Sequence, residues 1–342
     1  MSKRAQGSPQ GETNCDTSLP QPYRTGSYLI YDYAVGADPH IRKGTKLSDR
    51  GFRASGSCQL DEEPLTWTLQ SVAPQGGKLH LVDLRQETHA FYNKKAVSLY
   101  ADKDWANVWR SPAWIAEDER RLIDVQATPK VRIFFLTKDA EDRVTPGSTA
   151  ELTVTDAATE EIIASRMPFP VVYHRLPTTD HCPPFEMLEP FIAFCNQIDL
   201  VKDWVHFHCH GGDGRTTTFL ALYDMAFWFR HWKTDRFPTL EQFAQRQCQL
   251  FSYSLNPDKD CGGHPAKQDW KYELARERWF VLAFMRWYIL NGLLFSKKRF
   301  VLPGDWKSKA WEALTRDGSP IRAAVPGNRR VARAGRRKES QE

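Results

Sequence analysis

Apolar and polar positions fall into strand-like runs in the first half of the chain and helix-like periods in the second. Lys78 to Arg85 reads KLHLVDLR behind Gly76-Gly77, and this closed apolar run predicts a buried strand. A further strand is predicted over 96–100. Val131 to Leu136 and Glu151 to Thr155 are strand-like, with turn signals at 139–142 and at Pro146-Gly147. No long helical period appears over 112–166, so this stretch predicts a small β-rich insert. Phe185 to Ile198 then has the period of an amphipathic helix, and Trp204 to His208 that of a short buried strand. Helices are predicted over Thr216–Phe229, Thr239–Phe251 and Asp269–Leu294, the last with Trp279, Leu282, Phe284, Trp287 and Ile289 as core. Residues 27–59 are irregular, with short strands expected.

The ends are of another kind. Residues 1–26 are rich in Ser, Gln, Gly, Pro and Thr and read as disordered; 316–342 carry the run NRRVARAGRRK and read as a solvated basic tail. The expected organisation is a core from 27–111 and 167–315, interrupted by the insert at 112–166. The fold class is α/β, a mostly parallel central sheet flanked by helices.

Charge changes this picture little. The net charge is +5 over 342 residues, but the excess sits in the tail, so a nucleic-acid partner is not expected. No apolar run is long enough for a transmembrane segment, and the N-terminus lacks the apolar stretch of a Sec signal peptide. A cytoplasmic enzyme or a translocated bacterial effector is expected; a secreted or periplasmic enzyme whose signal has been removed is the alternative. Seven cysteines form no regular framework and no CxxC pair, which points to free thiols and a reducing compartment at some stage, and away from structural zinc. Oligomeric state is not legible.

The candidate chemistry lies in VHFHCHGGDGRTTTF, Val205 to Phe219. A strand, a glycine-rich turn and a helix start follow one another, which is the order an anion site requires. A nucleotide-binding P-loop ends in Gly-Lys-Ser/Thr, whereas this one ends in Gly214-Arg215-Thr216. His206, His208 and His210 alternate along one strand face, a metal-binding arrangement, but no carboxylate–histidine motif accompanies them. A reactive thiolate uses every residue. Cys209 faces backbone N–H groups and the helix N-terminus, which favour the thiolate and a phosphate alike. Arg215 suits a bidentate contact to phosphate oxygens, and Thr216 suits a hydrogen bond to the sulfur. Gly211, Gly212 and Gly214 let the backbone approach, with Asp213 between them. The chemistry is attack of sulfur on phosphorus, then hydrolysis, with no metal or other cofactor required. Upstream, Asp180 in the polar, proline-flanked stretch Arg175–Pro184 is the candidate general acid; a helix N-cap is its alternative role.

His-Cys-x5-Arg-Thr resembles the signature of cysteine-dependent phosphatases. Together with FRASGS (52–57), VDLRQETH (82–89) and Thr179-Asp180-His181, it resembles the protein-tyrosine-phosphatase-like inositol polyphosphatases, or cysteine phytases. The likeness covers about 27–295, including the helix after Trp270-Lys271 with Arg278, Phe280 and Tyr288. It implies a phosphatase core with a deep, basic pocket for a multiply phosphorylated ring. It further implies Cys209 as nucleophile, Arg215 on the scissile phosphate and Asp180 as acid. His181 would assist substrate binding, Arg53 would contact a neighbouring phosphate, and Lys267 and Lys271 would supply pocket lysines. Asp83 or Glu87 either orders the active-site wall or forms a buried salt bridge with Arg85. Two positions depart from the family: His210 stands where Glu is common, and Asp213 where a small, apolar or basic residue is common. An acidic group at the pocket opposes a heavily phosphorylated ligand, which His210 offsets if protonated. Three activities follow as hypotheses: an inositol polyphosphate phosphatase, a protein tyrosine or dual-specificity phosphatase, and an inactive inositol-phosphate-binding module. The Lys-Asn-Arg-Tyr type of recognition motif is missing from the chain, which counts against the second.

Overall fold

The computed structural model describes residues 28–31, 42–43, 52–124, 130–138, 144–232, 237–251, 253–259, 269–296 and 298–316. Its strands are β1 Tyr28–Tyr31, β2 Arg42–Lys43, β3 Ala54–Ser57, β4 Leu79–Arg85, β5 His89–Tyr92, β6 Lys95–Tyr100, β7 Lys130–Lys138, β8 Val144–Thr153, β9 Ala157–Ala158, β10 Val171–Thr178 and β11 Trp204–His208. Its helices are α1 Glu62–Val72, α2 Pro112–Ile123, α3 Glu160–Arg166, α4 Leu188–Gln197, α5 Gly214–Trp232, α6 Leu240–Phe251, α7 Asp269–Leu290 and α8 Trp306–Arg316.

One sheet has the order β10-β4-β11-β3-β2, parallel except for the edge strand β2. This is the expected α/β core. β11 lies between β4 and β3, with His208 opposite both Asp83 and Ser57. Its C-terminal end, where the glycine loop begins, therefore opens between the ends of two neighbouring strands. α5 follows the loop and is buried on nearly every side from Arg215 to Phe229. Phe219, Leu222 and Tyr223 meet Phe207 and Phe191 there, and Val281 to Met285 of α7 close the same core. A helix held this tightly fixes the direction of its first turn, and that turn carries the functional residues.

The second sheet, β8-β7-β1-β6-β5-β9, is mainly antiparallel. It is broader than the insert expected over 112–166. β1, β5 and β6 come from the stretch assigned to the core, and 112–166 also contains α2 and α3. Both departures have local causes. The β5–β6 hairpin turns on Asn93 and Lys94 at φ 50° and 71°, left-handed values usually announced by an Asn-Gly pair. α2 buries only Ile115, Glu119 and Leu122, a face too polar to show a period; its start is set by Ser111 accepting from Trp114 N–H and by Pro112. The segments read as disordered, 1–26 and all but Arg316 of 316–342, lie outside the described residues. Cys58, Cys182, Cys195 and Cys209 are free thiols, in line with the reading of free thiols, whereas Cys248 is disulfide-bonded.

Gly56 shows how closely sheet and helix approach. A Cβ there would lie 2.5 Å from Thr216 Cγ2 and 3.0 Å from Leu220 Cδ1. Gly56→Ala is expected to lose about 1–3 kcal/mol by overpacking, read as a shift in the denaturant midpoint. An unchanged midpoint would mean that this contact relaxes freely.

Candidate active site

The loop after β11 is held from behind by a chain of hydrogen bonds. Trp204 Nε1 donates to Ser55 Oγ at 2.9 Å, and His206 lies between Ser55 Oγ at 2.8 Å and Ser57 Oγ at 3.0 Å. Ser57 Oγ donates to Cys58 O at 2.6 Å. A single assignment satisfies all four groups: Ser55 donates to Nδ1, and His206 donates from Nε2 to Ser57. Burial lowers the His206 pKa to about 3, consistent with a neutral ring. His206 is thus a structural strut. His208 is buried near Glu160, with Nε2 3.2 Å from Oε1, although neither ring nitrogen makes a hydrogen bond. His210 turns to Asp104 instead. The three histidines have separate partners and do not converge on one metal.

Cys209 is 2% exposed. Its Sγ accepts from Gly212 N–H at 3.2 Å and lies 3.1 Å from Thr216 Oγ1. The Thr216 hydroxyl is also 3.3 Å from Ser57 O, so its one hydrogen has a choice of acceptors. Gly212 has φ +74°, and a Cβ there would meet Cys58 N at 2.5 Å. Both facts demand glycine. Gly211 is exposed, and Asp213 is exposed on the outer turn. α5 begins at Gly214, so the positive end of its dipole faces the sulfur.

Arg215 is the centre of the site. Its Nη1 and Nη2 donate to Glu87 Oε2 and Oε1 at 2.6 and 2.9 Å, and Nη1 also reaches Thr178 O at 3.2 Å. Its Nε lies 3.1 Å from Asp180 Oδ1 without the geometry of a hydrogen bond. Glu87 is fully buried and also accepts from Arg85 Nε and from Gln86 N–H. Burial opposes its ionisation, but Arg215 and Arg85 hold its carboxyl well below the usual range. Of the two sequence-derived alternatives, the structure has the buried pairing with Arg85, and Glu87 pairs with Arg215 as well. Asp83, likewise buried, has its carboxyl held low against burial by Arg175 and His89. His89 lies 3.2 Å from carboxylate oxygens of Asp83, Glu119 and Glu160. Burial alone would depress its pKa; Asp83, with help from Glu119, outweighs that and raises it to about 10.

Asp180 stands on the turn after β10. Its backbone O accepts from Trp105 Nε1 at 3.0 Å, and its Oδ2 is 3.1 Å from His181 Nε2. His181 is left-handed, with φ 61°, and meets Trp270 edge-on at 5.2 Å. Burial lowers its pKa, opposed by Asp180 and aided by Arg278, Lys271 and Arg215. Cys209, Thr216, Arg215, Asp180 and His181 are thus assembled as the sequence suggests, and Lys271 lies within electrostatic reach. Arg53 is not brought in. It precedes β3 and lines a cleft with Pro74, Gln75 and Trp204, at the end of the strand away from Ser57 and His208. Its motif placed it near the loop in sequence likeness, but a parallel strand separates the two ends. Lys267 lies outside the described residues.

The turn Asp102–Asp104 is what sequence reasoning missed. Asp104 Oδ2 is 2.9 Å from His210 Nδ1 and 3.8 Å from Arg215 Nη2. Lys103 Nζ lies 5.0 and 4.9 Å from the ring centroids of Trp105 and Trp270. The only signal was a dense charged and aromatic run, DKDW, between a strand and a helix cap.

Residues 82–227 match the family model PTP-like phytase, described by inositol hexakisphosphate. A PTP-like phytase from Bdellovibrio bacteriovorus is 29% identical, with a TM-score of 0.59 over 85% of this chain and 98% of that one. A PTP-like myo-inositol phosphatase from Mitsuokella multacida, solved with myo-inositol-(1,3,4,5)-tetrakisphosphate, has a TM-score of 0.66 at 21% identity and shares the fold; the match covers 90% of this chain and 50% of that one. The effector protein hopD2 of Pseudomonas syringae pv. tomato is 28% identical over 182 residues, which are 53% of this chain and 37% of hopD2. This chain therefore spans well under half of that curated relative.

Two outcomes are expected from the buried charges. Glu87→Ala leaves Arg215 buried without its carboxylate and should cost about 3–5 kcal/mol in denaturant unfolding; a loss below about 1 kcal/mol would show that the pair is dispensable. His89 has a folded pKa of about 10 against 6.5 ordinarily, so its stabilisation is full below about pH 6.5 and disappears as pH rises toward 10. The stability gap between wild type and His89→Gln should narrow over that range, and a constant gap would contradict a charged His89.

Proposed function

We propose that this protein is a cysteine-dependent phosphatase that hydrolyses myo-inositol polyphosphates through a phosphocysteine intermediate. The observation that carries the reading is the meeting of the buried Cys209 and Arg215, at the start of α5, with the half-buried Asp180 on the turn after β10. Sγ attacks phosphorus, the P–O ester bond breaks, and Asp180 gives its proton to the leaving oxygen. Water then attacks the phosphocysteine, Asp180 takes back a proton, and Thr216 supports the departing sulfur. Arg215, held by Glu87, is oriented before substrate arrives, so little reorganisation is needed as charge develops on the phosphoryl oxygens. The family match at 82–227 supports inositol hexakisphosphate as the substrate class. Likeness to an effector supports delivery into a host cell as the setting.

A phosphoprotein substrate is the second reading. It is favoured by the position of Arg53 outside the pocket and by the exposed Asp213, which leave the site less basic than the inositol reading expects.

Inorganic phosphate release should be followed from inositol hexakisphosphate and, separately, from a phosphotyrosine peptide. Release from the inositol is expected, abolished by Cys209→Ser and lowered about 10²–10⁴-fold in kcat by Asp180→Asn. Release from the peptide alone would replace the substrate, and release unaffected by Cys209→Ser would overturn the mechanism.

A further inference from the structure

We propose that Asp104 and His210 form a proton-accepting pair that positions the phosphate loop and takes up a proton when a dianion enters. This deepens the phosphatase reading and rests on it.

Glu87, Asp180 and Asp104 all approach the Arg215 guanidinium, at 2.6, 3.1 and 3.8 Å. Arg85 adds a second guanidinium, but its Nε and Nη1 are committed to Glu87 and Gln59. A phosphate dianion thus enters a site already crowded with carboxylates, and Asp213 on the loop adds another. Opposite charge must come from somewhere, and the Asp104–His210 pair, at Arg215 Nη2 and apart from Asp180 and His181 at its Nε, is an adjacent group able to gain it.

Its geometry suits that task. His210 directly follows Cys209, and its backbone O accepts from Gln59 N–H at 3.0 Å, so the loop cannot move without it. Its Nδ1 is 2.9 Å from Asp104 Oδ2. Asp104 Oδ1 is buried and makes no hydrogen bond, which leaves the carboxylate room for a proton or a donor. Burial and the nearby Glu87 raise the Asp104 pKa to about 6, against the opposing pull of His210 and Arg215. The turn is strained to make the contact: Lys103 and Asp104 have φ 59° and 62°, and neither is glycine. Asn107 anchors the same turn through its bond to Gln86 O at 2.7 Å. With a carboxylate on Nδ1, a protonated His210 faces the loop as a cation; without a proton, the pair adds to the repulsion.

The linkage has a definite sign. Above about pH 6 the free pair lacks the extra proton, and an arriving dianion raises its affinity for one. Anion binding is therefore accompanied by proton uptake just above pH 6 and weakens as pH rises further.

The test is calorimetry of inorganic sulfate, a permanent dianion, binding to full-length Cys209→Ser protein in buffers of different ionisation enthalpy. Roughly one proton taken up per sulfate is expected, falling toward zero when Asp104→Asn or His210→Gln is added. Should Asp104→Asn fail to fold, His210→Gln alone decides. Undiminished uptake in a folded variant overturns the proposal, as does uptake of no proton by the parent. Sulfate binding without uptake sinks the pair alone. A parent that binds no sulfate, with a wild type that releases no phosphate, sinks the phosphatase reading as well.

Discussion

The bidentate pair between Glu87 and Arg215 is the interaction on which the rest of this structure depends. An arginine 2% exposed beside the Cys209 thiol needs a counter-charge, and Glu87 supplies it from a different part of the fold. Glu87 in turn is fully buried and could not stay ionised on one partner alone; Arg85 and the Gln86 amide complete it. Behind them Asp83, His89, Glu119, Glu160 and Arg175 extend the same network to β10 and α2. A network of this kind has few satisfied arrangements. It fixes where the end of β4 stands relative to the first turn of α5, and hence where Arg215 points.

The second sheet belongs to the same arrangement. The β5–β6 hairpin follows directly on the DLRQE turn and ends at the strained turn that carries Asp104. Trp105 then binds the turn after β10 through Asp180 O, and Asn107 binds Gln86 O. One connected stretch, 83–107, thus supplies the arginine's carboxylate, the partner of His210 and the support of the general-acid candidate. What looked in sequence like core followed by insert is a shared wall.

Legibility followed the range of the interactions. β4, β11 and α5 stand out as apolar runs because each is buried over most of its length, and α7 because its part from Arg278 onward is. Cys209 lies in the loop and Arg215 and Thr216 in the first helical turn directly after it, so their spacing alone reveals them. α1 was missed although Leu65, Leu69 and Val72 share a face, because Glu62, Glu63 and Thr66 dilute the run. Asp104 and His210 are 106 residues apart, and no local pattern announces a contact over that distance. Arg53 failed for the opposite reason: a motif near the loop's neighbour strand says nothing about which end of that strand it occupies. The disulfide at Cys248 was invisible because spacing alone does not determine pairing.

In the proposed mechanism Cys209 becomes covalently phosphorylated in each turnover. The most direct measurement is acid quenching of a turnover mixture with inositol hexakisphosphate, followed by mass spectrometry of the peptide that contains Cys209. The account predicts a single added phosphoryl group on that cysteine, accumulating in Thr216→Ala, where loss of the hydroxyl slows the sulfur's departure. Steady turnover with Cys209 unmodified in both proteins would contradict it.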